Sequence, residues 1–198
     1  MRYFKNITIF FFFFFLFSLS VSFLRSLDVT QKPRKSDIIF CLGGNKYRTY
    51  KSLMLLSNNY SKYNTLYFFG GKKLFYNHLK HLHIDGMLID PIVLKKNIIF
   101  IANMKNTMDE IQFIKKVSSS YGYSNLIIVT DPTHSFRVKL MLDTFTKNLN
   151  YIIVSSKPAW ANKKDLNVKM IIFTIKELFK IPYNYVKYKV YFLFLSIL

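Results

Sequence analysis

Residues 37–48 read Asp37-Ile38-Ile39-Phe40-Cys41-Leu42-Gly43-Gly44-Asn45-Lys46-Tyr47-Arg48. A short unbroken apolar run, rich in β-branched and aromatic side chains, ends in a double glycine and gives way to helical spacing over 47–58. An unbroken run suits a strand covered on both faces, the condition of a strand inside a parallel sheet. The same alternation recurs downstream. Runs at 65–69, 98–101, 126–130 and 151–154 predict further buried strands, and helical spacing covers 72–82, 107–119 and 134–147. Ile111, Ile114 and Val117 show that spacing, as do Val138, Leu142 and Phe145. A last helix over 168–180 stops before Pro182. Strands alternating with helices define an α/β fold, a three-layer αβα Rossmann-like parallel sheet.

Outside this core, residues 7–24 carry no charge and include six consecutive phenylalanines, Phe10 to Phe15, behind Arg2 and Lys5. Six phenylalanines leave no polar face for packing in a soluble core, so the segment predicts a single-span transmembrane anchor over 1–24. A basic linker with Pro33 follows at 25–36, then the αβα domain at 37–182 and an extension at 183–198. The apolar end, 190–198, is too short to span a bilayer. Arg25, Lys32, Arg34 and Lys35 behind the span favour a cytoplasmic domain by the positive-inside rule. A hydrophobic run behind a short basic start is also the layout of an export signal, and we favour the exported orientation.

The 198 residues fit one domain of ordinary size. A chain that is 51% apolar and 18% aromatic is not a disordered polybasic one. Basic residues number 29 against 10 acidic, a net charge of +19. Most of the basic residues are lysine, and Asn, Ile, Phe and Tyr are also abundant. All are encoded by A/T-rich codons, so compositional drift explains the charge better than a nucleic-acid partner does. The single cysteine, Cys41, excludes an internal disulfide framework and any multi-cysteine metal site. It reads as packing on a buried strand.

Arginine is scarce, and after residue 36 only Arg48 and Arg137 occur. Both follow predicted strands. In open parallel sheets ligands bind beyond the carboxyl ends of the strands. Those ends carry Gly43 and Gly44 with Arg48, then Gly70 and Gly71, then Asn106, Thr107 and Asp109, then Thr130 with His134 and Arg137. Paired glycines let backbone N–H groups approach a ligand, and helix N-termini favour negative charge, so this edge suits an anionic group. Plainer roles stand beside these: the Gly-Gly pairs as tight turns, and Asn106 or Thr107 as a helix cap. His134 and Arg137, three residues apart, share a helix face, which makes His134 the candidate acid or base. His78, His81 and His83 invite a metal reading, but the third points away from the first two on a helix and lysines surround them, so no metal site is assigned.

Taken in order, Leu42-Gly43-Gly44 with Arg48, Phe69-Gly70-Gly71, Asn106-Thr107-Met108-Asp109, and Val129-Thr130 with His134 and Arg137 resemble the SanA/ElyC/YdcF-like family over residues 37–155. The regions of Trp160 and Glu177 are similar to its C-terminal part. The resemblance implies a Rossmann-like domain, often on a membrane anchor, at the bacterial inner membrane and associated with envelope integrity and peptidoglycan-related processes. One soluble branch is linked with S-adenosylmethionine. Departures from the pattern are Phe69 where the family has serine, Leu74 or Tyr76 near an expected acid, and Met104 near an expected serine. Loss of a carboxylate harms acid–base catalysis more than binding.

The leading expectation is therefore an envelope-biogenesis factor that binds an anionic small molecule or lipid-linked ligand. Arg48 and Arg137 would grip the anion, the four glycines would supply backbone donors, and Asn106 and Thr107 would orient the ligand. The alternative is an S-adenosylmethionine- or nucleotide-binding enzyme, a methyltransferase or a phosphate hydrolase. The cofactor is left open.

Overall fold

The computed structural model describes residues 28–146, 149–156, 172, 176, 177, 179 and 180. The expected anchor at 1–24 and the extension at 183–198 lie outside the described residues. No helix among the described residues is long and apolar enough to cross a membrane.

Five strands form one parallel sheet: β1 (Ile38–Cys41), β2 (Thr65–Phe69), β3 (Asn97–Ile101), β4 (Asn125–Thr130) and β5 (Asn150–Ser155). Their order is β3-β2-β1-β4-β5. In register, Cys41 lies between Phe68 of β2 and Val129 of β4. Four helices, α1 (Lys46–Ser57), α2 (Gly71–Ile84), α3 (Thr107–Tyr121) and α4 (Pro132–Phe145), alternate with the strands, and a 3-10 turn, Pro91–Lys95, precedes β3. Each strand and helix the sequence predicts from 37 to 155 is present, with ends shifted by a few residues. The described residues of the last expected helix, Ile172, Lys176, Glu177, Phe179 and Lys180, are helical.

Alternation of side chains along the strands divides the core in two. Ile38, Phe40 and Leu42 of the β1 segment pack with Met108, Ile111 and Ile114 of α3 and with Val138 and Leu142 of α4. Ile39 and Cys41 pack on the other face with Leu53 and Leu56 of α1 and Phe75 of α2. Helices therefore cover both faces, which is why β1 is buried along its whole length. Edge strand β3 is only partly buried. The other edge, β5, is partly covered by the linker. Gln31 N donates to Ile153 O at 2.7 Å, and Val29 N donates to Ser135 Oγ at 3.1 Å. The end of the basic linker is thus docked on the domain.

Candidate functional site

The strand order reverses between β1 and β4, the place where open α/β sheets form their ligand crevices. To this place come the loop after β1, the first turns of α1, α3 and α4, and the end of β4.

Asn45 starts α1. Its side-chain oxygen accepts the Tyr47 and Arg48 amides at 3.0 and 3.3 Å, satisfying helix donors that lack intrahelical partners. Its amide nitrogen donates to both Asp131 carboxylate oxygens at 3.1 and 3.0 Å. Arg48, 6% exposed, aims Nε and Nη2 at Asp131 Oδ2, at 2.9 and 2.6 Å. Its Nη1 donates to the carbonyl of Gly43. Ser156, just after β5, donates to the other oxygen of Asp131. Asp131 occupies the N-cap position of α4 without capping it, because its side chain is turned toward these partners and away from the helix amides. Burial pushes the Asp131 carboxyl up, but the Arg48 charge, with hydrogen bonds from Arg48, Ser156 and Asn45, outweighs it and holds the group below the usual carboxylate range.

From Arg48 the chain of bonds continues to His134. Arg48 Nη2 lies 3.2 Å from His134 Nδ1, and a guanidinium only donates, so Nδ1 is an acceptor and the imidazole hydrogen sits on Nε2. Thr130 Oγ1 is also 3.2 Å from Nδ1. His134 Nε2 then donates to Thr107 Oγ1 at 3.3 Å, and Arg137 Nη1 donates to the same oxygen at 3.1 Å. Arg137 Nε pairs with Glu177 at 2.7 Å, and Glu177 also takes Lys180. Burial first, then the positive charges of Arg137, Arg48 and Lys180, hold His134 well below its ordinary value, so it is neutral at pH 7.

One further carboxylate completes the site. Glu110, 6% exposed, accepts the Gly43 amide on Oε1 at 2.7 Å. Burial lifts it to about 7, against the pull of that amide and of Arg48 and Arg137. Arg48, Arg137 and Lys180 face Asp131 and Glu177, so ionised Glu110 leaves the cluster neutral and protonated Glu110 leaves it positive.

Of the residues the sequence singles out, Gly43, Gly44, Arg48, Thr107, Thr130, His134 and Arg137 meet here. The double glycine after β1 is required sterically. A Cβ at Gly43 would stand 3.0 Å from Glu110 Oε1 and 3.3 Å from the Phe69 carbonyl, and one at Gly44 would stand 2.7 Å from the Arg48 guanidinium. Arg48 is an internal strut rather than half of an open anion clamp, because its fork is committed to Asp131, Gly43 and His134. Gly70 and Gly71 sit one strand away. Gly70 N extends the sheet to Ile101 O at 2.9 Å, and the pair forms the tight turn into α2. Asn106 caps α3 through the Met108 and Asp109 amides, and Asp109 turns to the Lys105 amide. His78 bonds Thr49 inside the domain while His81 and His83 are exposed.

Sequence reasoning gave no site role to Asp131, Glu110, Asn45 or Ser156. Glu110 had a legible signal, since it lies three residues after Thr107 on the stripe that carries Ile111 and Ile114, and an acid on an apolar stripe is seldom left unpartnered. The chain matches no protein-family model, no curated protein and no solved structure.

Proposed function

We propose that this chain is a membrane-anchored cell-envelope biogenesis factor of the SanA/ElyC/YdcF-like kind, and that an anionic, phosphate-like group of its ligand binds at the carboxyl edge of β1 and β4. One observation carries the anion-binding part of the reading. The two arginines of the domain are joined in a single hydrogen-bonded path, Arg48 to His134 to Thr107 to Arg137, at the point where the strand order reverses. Helix starts, a glycine loop and guanidinium groups in one place suit a phosphate or carboxylate. Arg48 is fully engaged, so Arg137 is the guanidinium that meets the ligand, with Glu177 as the partner it exchanges.

An enzymatic reading stands second, favoured by a carboxyl lifted to about 7 and a neutral histidine that both feel the charges of Arg48 and Arg137. Its substrate would be a nucleotide, a phosphorylated lipid carrier or S-adenosylmethionine.

The test is thermal melting of the full-length chain in detergent with polyprenyl phosphates, nucleotides and S-adenosylmethionine in turn. A rise with a polyprenyl phosphate that is lost in Arg137→Ala is expected. A rise with S-adenosylmethionine alone favours the enzyme, and no rise with any of them removes both readings. In cells, Arg137→Ala should fold and reach the membrane yet fail to complement an envelope defect.

A further inference from the structure

The Glu110 carboxylate already stands where an incoming anion would be received. Its Oε1 holds the Gly43 amide, the second amide beyond the end of β1, at 2.7 Å, and it does so in a buried setting. An oxyanion that uses this amide must displace that oxygen or lie beside it, and two negative charges so placed cannot both persist. Resting on the reading above, we propose that Glu110 is a proton-linked plug of the anion site: a sulfate- or phosphate-type oxyanion binds with uptake of one proton by Glu110, so its affinity falls as the medium turns alkaline.

The surroundings leave Glu110 as the group that can make this exchange. It is influenced by Arg48 from α1, Arg137 from α4, Cys41 from β1 and Asp109 from its own helix. Arginines do not titrate in the neutral range. Burial pushes the Cys41 thiol up to about 12, so it stays protonated. His134, next along the network, is held well below its ordinary value and stays neutral. With Arg48, Arg137 and Lys180 set against Asp131 and Glu177, protonation of Glu110 turns a neutral cluster into one with a net positive charge. The acid hydroxyl can then donate to the oxyanion instead of repelling it. Burial that lifts Glu110 to about 7 places the exchange near neutrality.

Sulfate is the suitable probe because it carries no titrating proton between pH 6 and 8. Isothermal calorimetry on the full-length chain in detergent should give an affinity about tenfold weaker at pH 8 than at pH 6, the change expected when only the protonated form of a group with a pKa near 7 binds. Repeating the titration at pH 8 in two buffers of different ionisation enthalpy should report close to one proton taken up, a readout on the wild-type chain that needs no variant. Glu110→Gln should lose the pH dependence. Affinity that is flat with pH in the wild type, or equally steep in Glu110→Gln, overturns the plug and leaves the anion site standing. Absence of sulfate binding at every pH in both proteins overturns the anion site itself, and the plug with it.

Discussion

The Arg48 guanidinium meets the Asp131 carboxylate twice, through Nε at 2.9 Å and Nη2 at 2.6 Å, and so ties the first helix after β1 to the end of β4. The chain after β1 runs to one edge of the sheet and the chain after β4 to the other, and this pair stitches the two connections together at their start. Both groups are buried, and each has further partners that complete its hydrogen bonding.

Removing one member of such a pair strands the other charge in the interior. Arg48→Met or Asp131→Leu should each cost about 3–5 kcal/mol of stability. The double variant should cost clearly less than the two singles added together. Urea unfolding followed by circular dichroism reads all three, and strict additivity would mean that the pair is not coupled.

A side chain at either glycine of the loop after β1 meets a neighbour that must shift. Gly43→Ala would press a methyl against Glu110 and the Phe69 carbonyl, and Gly44→Ala would press one against Arg48. Each should lower stability by about 1–3 kcal/mol. Gly122→Ala is the informative control, because it carries the backbone cost of φ 69° with nothing within 4 Å. Gly43 has no positive φ and meets only the steric contact, whereas Gly44, at φ 156°, meets both. The control should cost only about 1 kcal/mol, the backbone part alone. Melting curves that place all three together would remove the steric argument.

Stability should depend on pH through Glu110. Its folded value, about 7, lies above its ordinary value of 4.5, so between the two the folded chain keeps a proton that the unfolded chain releases. Stability from this group therefore falls as pH rises from about 4.5 to 7 and is level above that. Asp131 acts in the opposite sense, since its folded value is lowered, and its contribution is lost as pH falls through that value. Denaturation between pH 5 and 8 should show the Glu110 slope in the wild type and not in Glu110→Gln.

Thr107 is the junction at which His134 and Arg137 meet. Thr107→Val keeps the shape and removes the shared oxygen, at about 1 kcal/mol of stability. The variant should weaken anion binding, and the nitrogen chemical shifts of His134 should leave the pattern of a fixed Nε2–H tautomer. Unchanged shifts would mean that Arg48 alone sets the ring.

Much of the fold is legible in the residues because a central parallel strand must be apolar along its whole length, and Ile38–Cys41 and Leu126–Val129 are. Strand ends were less legible. Asn97, Asn125 and Asn150 belong to the ladder through their backbones although their side chains are polar. Scarcity of arginine and the double glycine after β1 pointed to the right edge of the sheet. The residues that tie those arginines down were harder to see. Asp131 before Pro132 looks like a capping residue, and Glu110 looks like an acid that complements a helix start. Neither local pattern shows that the side chain faces inward.

By its own residues the chain determined the alternation of strand and helix, the apolar faces that form two core layers, and the gathering of glycine, threonine, histidine and arginine beyond the strand ends. These follow from spacing along the chain, and spacing is local. Tertiary structure alone decided that Arg48 faces Asp131, that Arg137 faces Glu177, and that Glu110 closes on Gly43. Those pairings depend on strand order and helix packing, which bring together groups far apart in sequence and set how much water each one keeps.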